Sequence, residues 1–274
     1  MGSETKFEFC TETKEAHTSI RDMYSKMYVD DAVIIKHLIN GMGGREMKII
    51  ELPIEFECNG RKQWIYPSLI VLNNELTLVD TGYKNFLPLI ENEILKHGYE
   101  MKNLKNIIIT HYDDDHIGSL YDFKVKYPQL HVIASEIESN YINGEIKSER
   151  LVQAEEMLEH MPIEEKEFSE WFIQQLKNIR HISVDEKVYD GQMILNDKCQ
   201  IVATPGHTSG HISLYFPDLD CVITGDAAVQ DNNELVIANP NFCLDTEKAE
   251  ESLKRIKNLK AASYYCYHGG KLII

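Results

Sequence analysis

The sequence predicts a mixed α/β protein, and its strand order suggests two sheets packed together with helices outside, an αββα sandwich. Three observations carry this. Apolar runs of strand length fall into an early group and a late group. Amphipathic helical stretches follow strands rather than forming a bundle of their own. Several strands end in a polar turn that contains His, Asp or Gly.

Taken in order, residues 1–46 stand apart. Weak helical periodicity at 19–28 and 30–40 ends in the breaker run Gly41-Met42-Gly43-Gly44. We read 1–46 as an N-terminal extension of unknown role, helical if ordered, and a candidate surface for homo-oligomer formation. The main domain is expected over 47–274. Strands are predicted at 48–57, 65–72 and 75–80, with Asn73-Asn74 as the tight turn between the last two. A helix near 84–97 closes at Gly98. Strand 105–110 leads into Thr110-His111-Tyr112-Asp113-Asp114-Asp115-His116-Ile117-Gly118, and a helix near 116–126 stops before Pro128. A short strand follows at 130–134. Residues 136–182 read as a helical insertion, with apolar stripes Leu151/Ala154/Leu158/Met161 and Phe168/Phe172/Leu176/Ile179. Strands resume at 186–189, 193–195, 199–204, 211–216 and 219–224. A helix near 246–258 precedes a last strand, 262–267.

The composition excludes several classes of function. The chain has 274 residues, 28 Lys and Arg against 44 Asp and Glu, and a net charge of −16. That field repels nucleic acid and anionic membrane, so neither is expected as a partner. Residues 135–190 hold 14 acidic and 6 basic residues, half of the net charge. No apolar run reaches the roughly 20 residues of a bilayer span, and no secretory signal opens the chain, so a cytoplasmic protein is expected. Cys10, Cys58, Cys199, Cys221, Cys243 and Cys266 are scattered, with no Cys-x-x-Cys pair. This argues against a zinc ribbon, a redox dithiol or a disulfide scaffold. Cys199, Cys221 and Cys266 read as small buried hydrophobes.

The stretch 110–118 is the main chemical signal. Carboxylates crowded this closely repel one another and call for a cation, and imidazoles beside them suit a divalent metal. The plain alternative is a solvated Asp-rich turn that caps the next helix. Three later segments share its design: Thr204-Pro205-Gly206-His207-Thr208-Ser209-Gly210-His211, Thr224-Gly225-Asp226-Ala227 and Cys266-Tyr267-His268-Gly269-Gly270. Each alone reads equally as an ordinary turn, a hairpin corner or helix cap, or a frayed end. Together with 110–118 they argue for one site at a sheet edge.

Over about 47–270 the sequence resembles the metallo-β-lactamase-fold hydrolases, with Asp80-Thr81-Gly82, the loop His111 to His116, Gly206-His207, Gly225-Asp226 and His268 in the family's order. The resemblance implies two divalent ions, zinc first. His111, Asp113 and His207 would hold one, Asp115, His116 and His268 the other, and Asp226 would bridge. It implies hydrolysis by a metal-bound hydroxide, with Asp115 as proton shuttle and Asp80 orienting a ligand imidazole. His211 falls outside the metal shell. Tyr112 and Tyr267, beside ligands, are candidates to polarise a substrate carbonyl.

One departure stands out: the family's loop reads His-x-His-x-Asp-His, and here the second His is Asp113. Counted with two ions and a hydroxide, the site drops from +1 to zero. That predicts a weaker Lewis acid and a shift of preference from zinc towards manganese or iron. The expected substrate is a small-molecule ester, lactone, thioester or amide. The polyanion substrates of the nuclease branches disagree with the net charge, and the chain ends six residues after His268, short of a glyoxalase-II-type helical region. The acidic insertion is the candidate lid, with Trp171, Phe168 and Tyr141 to line a pocket. The rival expectation is a metal-binding sensor or interaction module with little or no catalysis.

Overall fold

The computed structural model describes residues 47–274 apart from Asn59 and Met161, and apart from the side chains of Ile163, Glu164, Glu165 and Phe168. The expectations for the N-terminal extension and for Phe168 therefore lie outside the described residues. Two six-stranded sheets form the centre. The first contains β1 (Met47–Glu51), β4 (Ser68–Leu72), β5 (Glu75–Val79), β6 (Leu104–Ile109), β7 (His131–Ser135) and β8 (Glu186–Val188), in that order. The second runs β16 (Gly270–Ile273), β15 (Ser263–Cys266), β12 (Cys221–Gly225), β11 (Ile212–Phe216), β10 (Cys199–Ala203) and β9 (Met193–Ile194). Hairpins β2 (Ile54–Cys58) with β3 (Arg61–Ile65), and β13 (Val229–Asp231) with β14 (Glu234–Val236), stand outside the sheets.

Alternation along the strands makes the layers. Ile70, Val79, Ile108 and Ile133 of the first sheet pack against Ile201, Ile212, Leu214 and Ile223 of the second. Their neighbours Leu69, Val71, Ile107, Ile109 and Val132 face the other way, onto Leu87, Ile90 and Ile94 of α1 (Leu87–Lys96) and Leu120 and Phe123 of α3 (Leu120–Lys126). Val222, Tyr264 and Cys266 turn outward onto Ile256 of α7 (Thr246–Asn258). Side chains on a strand alternate between faces, so near-continuous apolar runs are what two covered faces require. This is the αββα sandwich that the sequence predicts.

Local chemistry sets the boundaries. Asn73 and Asn74 both adopt positive φ, 52° and 67°, the left-handed pair that a two-residue hairpin turn needs. The expected strand 48–57 is two strands, because Leu52-Pro53 interrupts it; 65–72 likewise breaks at Tyr66-Pro67. The expected helix near 116–126 is two pieces, α2 (Asp114–Ile117) and α3. Between them Ser119 Oγ accepts from the backbone N–H of Phe86 and Leu87 at 2.8 and 3.2 Å and so caps α1. The insertion forms α4 (Glu136–Ile142), α5 (Glu149–His160) and α6 (Ile163–Lys177). The chain after His268 is no frayed end: β16 pairs antiparallel with β15. No helix among the described residues is long and apolar enough to cross a membrane.

The layout places the site. Strands β5, β6, β10, β12 and β15 all deliver their C-terminal ends to one edge, where the Ile212 N–H bonds the Thr110 carbonyl across the two sheets at 3.1 Å.

Candidate metal centre

The predicted ligands lie just beyond strand ends, with Asp115 and His116 in α2 after β6. His111 follows β6, His207 lies beyond β10, Asp226 follows β12 and His268 lies beyond β15. Gly225 is fixed by its surroundings, with φ +54° and any Cβ only 2.6 Å from His211 Nε2. Only glycine lets the strand turn Asp226 into the site there. His211 is itself structural: it receives the Asp226 N–H on Nε2 at 2.9 Å and pairs Nδ1 with Thr204 Oγ1 at 2.8 Å.

The side chains gather into two groups, His111–His207–Asp226 and Asp115–His116–His268. At the first, Asp113 Oδ2 lies 3.4 Å from His111 Nε2 and 2.9 Å from His207 Nε2, and His207 Nε2 lies 3.5 Å from Asp226 Oδ2. At the second, Asp115 Oδ2 lies 3.6 Å from His116 Nε2 and 3.2 Å from His268 Nε2. Asp226 reaches His116 with Oδ1 at 3.3 Å and His268 with Oδ2 at 3.4 Å. Nitrogen and oxygen ligands about 2.0–2.1 Å from a tetrahedral ion stand about 3.3 Å apart. The other spacings at both poles are close to that value, while Asp113 and His207, at 2.9 Å, are hydrogen-bonded. Buried His111 Nε2, His116 Nε2 and Asp226 Oδ1 have no hydrogen-bond partner. Buried polar atoms are seldom left so, and all three belong to these shells. The residues fit two divalent ions.

The electrostatics agree. Burial pulls the His268 imidazole down, but Asp226 and Asp115 outweigh it and carry it to about 10. His207 rises to about 9 against its burial, through Asp113 and Asp226. Burial raises the carboxyl of Asp226, and His268 and His116 more than reverse this, holding it well below the carboxylate range. Anionic oxygens collect positive charge here, first as protons that an arriving ion would displace.

Two supports back the ligands. Asp80 accepts from His116 Nδ1 at 2.8 Å, from the Thr110 N–H at 2.8 Å and from Thr110 Oγ1 at 2.9 Å. This carboxylate–imidazole pair fixes the tautomer and makes the ligand more basic. Glu138, from α4, carries no motif that marks it in the sequence. Fully buried, it accepts from the Tyr112 N–H at 2.9 Å, Thr208 Oγ1 at 2.6 Å and the Gly210 N–H at 3.1 Å. It thereby clamps the loop of His111 and Asp113 to the loop of His207.

Three expectations need correction. Asp113 stands at the N-cap of α2 but its side chain makes no capping bond, and it is not a bare carboxylate. Arg150, in the first turn of α5 and 4% exposed, donates Nε to Asp113 Oδ1 at 3.0 Å and Nη2 to Oδ2 at 2.7 Å. Burial pushes the Asp113 carboxyl up, but this guanidinium and the two histidines hold it well below its usual range. The pair sums to zero, as a neutral histidine would, so the predicted loss of one unit of site charge is cancelled. Tyr267 is buried with its ring on His116, centroids 3.9 Å apart, and donates its hydroxyl to the Asp115 carbonyl at 2.6 Å. It braces Asp115 and is not free to polarise a substrate. Tyr112 is packed in the core with Tyr141, and both rings are buried.

Tyr83 was also missed. It stands against Phe56 and Phe86, and its phenol is pushed far up by burial and by Asp115 and Asp114, so it stays a protonated donor beside the site. Its position after Thr81-Gly82 was the available signal.

A family model for the metallo-beta-lactamase superfamily matches residues 65–268, most of the chain. The protein belongs to the metallo-beta-lactamase superfamily. Among its relatives, the probable metallo-hydrolase YflN of Bacillus subtilis (strain 168) is 27% identical over 214 residues, 72% of this chain and 76% of that protein. A hydroxyacylglutathione hydrolase of Hyphomonas neptunium is 39% identical over 69 residues, a quarter of each chain. The metallo-beta-lactamase family protein TTHA1429 of Thermus thermophilus shares the fold with a TM-score of 0.59 at 20% identity, over 82% of this chain and 74% of that one. A Cronobacter sakazakii metallo-beta-lactamase with a HARLDQ motif follows at a TM-score of 0.56 and 18% identity, over 81% and 78%. Membership makes this superfamily protein a metal-dependent hydrolase in general terms.

Proposed function

We propose that this superfamily member is a dinuclear hydrolase of a small-molecule ester, lactone, thioester or amide. The observation that carries the reading is the pair of ligand shells with orphaned buried atoms, joined by the two oxygens of Asp226. His111, Asp113 and His207 would hold one ion, Asp115, His116 and His268 the other. Zinc suits the imidazole-rich shells, and the Arg150–Asp113 pair offsets the extra negative charge that would weaken the Lewis acid. The bound ions would supply Lewis acidity and an acidified water.

The chain's own residues do the rest. Asp80 and Tyr267 hold His116 and the Asp115 backbone in place, and Asp115 would carry a proton to the leaving group. Tyr83 offers an O–H to a polar substrate atom, in an aromatic wall of Phe56 and Phe86. The side chain of His268 is 36% exposed, so substrate approaches over this pole. A net charge of −16 argues for a small substrate rather than a polyanion. The relative named for a glutathione thioester places thioesters in the test panel.

Metal analysis for zinc, manganese and iron should be followed by assays on esters, lactones, S-acylglutathiones and β-lactams. Turnover of at least one class should vanish when a chelator removes the metal and return when metal is restored. Full activity in verified metal-free protein would sink the proposal. Tight metal binding with no turnover across the panel would favour a sensor instead.

A further inference from the structure

Arg150 is the basic residue that the acidic insertion sends into the site, and every donor group on its guanidinium is engaged. Nε and Nη2 take both oxygens of Asp113, Nη1 donates to Gln153 Oε1 at 2.6 Å, and Nη2 also stands 3.4 Å from His207 Nε2. The turn that carries it is fastened twice more. Glu149 accepts from Ser209 Oγ at 2.6 Å and from the Ser209 N–H at 3.2 Å, and Gln153 Nε2 reaches the Cys243 carbonyl at 3.5 Å. The guanidinium is therefore a fixed cation that touches two residues of the first ligand shell.

The two poles consequently differ in charge. Beyond the shared Asp226, the first has Asp113 cancelled by Arg150, with His111 Nδ1 facing only the Thr110 hydroxyl at 3.0 Å. The second has Asp115 and, behind His116, Asp80, with no cation against either carboxylate in the described contacts beyond the ligand imidazoles. A divalent ion entering the first pole meets a carboxylate already neutralised by a buried cation that cannot swing away; one entering the second meets Asp115 and, behind His116, Asp80.

We infer that Arg150 is a positioning residue that orders metal filling: it holds the first pole as the weaker position, so the Asp115–His116–His268 pole fills first. This rests on the dinuclear reading above. Orientation works the other way, since Arg150 also fixes Asp113, but strand β6 and the start of α2 already constrain that residue. Coulomb repulsion at such range exceeds what a restrained carboxylate loses by freer rotation.

The test is a calorimetric titration of the metal-free full chain with zinc, run in parallel with cobalt followed by its visible absorbance. The wild type should bind in two steps of one ion each, separated by about tenfold or more in affinity. Arg150→Met should tighten the weaker step by about tenfold or more and leave the stronger one within a few-fold, with the cobalt band of the first pole appearing earlier in the titration. Arg150→Lys, which keeps the charge, should stay near the wild type. If Arg150→Met does not fold, Arg150→Gln, which keeps a donor for Asp113 without the charge, should tighten the weaker step in the same direction, and an unchanged weaker step there would overturn the inference. Two wild-type steps of equal affinity, or a weaker step that Arg150→Met leaves unchanged or weakens further, would overturn the inference alone. Failure of the wild type to bind any metal would defeat it together with the dinuclear reading.

Discussion

At one pole of the site His111, His207 and Asp113 are buried, a guanidinium lies against the carboxylate, and α5 closes over them. At the other pole the side chain of His268 is 36% exposed and that of Asp115 13%, and no helix of the insertion makes a described bond to them. Each pole rests on one buried carboxylate: Glu138 ties together the loops of the first, and Asp80 orients an imidazole of the second. The same strand-end design thus yields one pole that is sealed and charge-balanced and one that is open and electron-rich. The asymmetry leaves the side chain of His268, at the open pole, in reach of solvent, while the closed pole is shut off by α5.

Breaking the sealed pole should cost most. Asp113→Ala leaves Arg150 buried without its carboxylate, and losing one partner of a buried pair costs about 3–5 kcal/mol. Urea denaturation of the metal-free protein should show that loss, and adding Arg150→Met should recover much of it. Additive losses would mean that the pair is not a unit. At the open pole, Asp80→Asn weakens the acceptor behind His116. It should lower metal affinity there by roughly 10–100-fold while sparing the first pole. Competition with a graded chelator reads both steps, and equal losses at both would contradict the division.

The smallest effect is expected from Glu138, and it carries a pH signature. Burial raises its carboxyl to about 7, with the three donors offsetting part of that. A carboxyl raised on folding binds more protons folded than unfolded between about 4.5 and 7. Its contribution to stability therefore falls as pH rises through that window. Glu138→Gln removes the titration, so the wild type's advantage in melting temperature should narrow between pH 5 and pH 8. A constant gap would show that Glu138 stays ionised throughout.

Much of the architecture could be read locally. The apolar alternation of Ile107-Ile108-Ile109, the Asn73-Asn74 turn and the helix closed by Gly98 each depend on neighbours within a few residues. Errors came where a proline or a cap intervened, as at Pro53, Pro67 and Ser119, and where short hairpins such as β13–β14 gave too little periodicity. The ligands could be read because glycines flank those at the later strand ends and because four of the seven fall within 111–116. The roles given to Tyr112 and Tyr267 failed because proximity in sequence does not say which way a ring points; both rings are buried.

The sequence by itself determined the mixed α/β class through periodicity, and the order of its His, Asp and Gly motifs, by their resemblance to a known family, pointed to the sandwich and to the candidate ligands. Only the tertiary structure decided the state of Asp113. Its partner lies 37 residues away in an acidic insertion, and Glu138 acts on Tyr112 from 26 residues away. A carboxylate's charge is local, but whether that charge is cancelled depends on what is buried against it, and burial is settled only when the chain has folded.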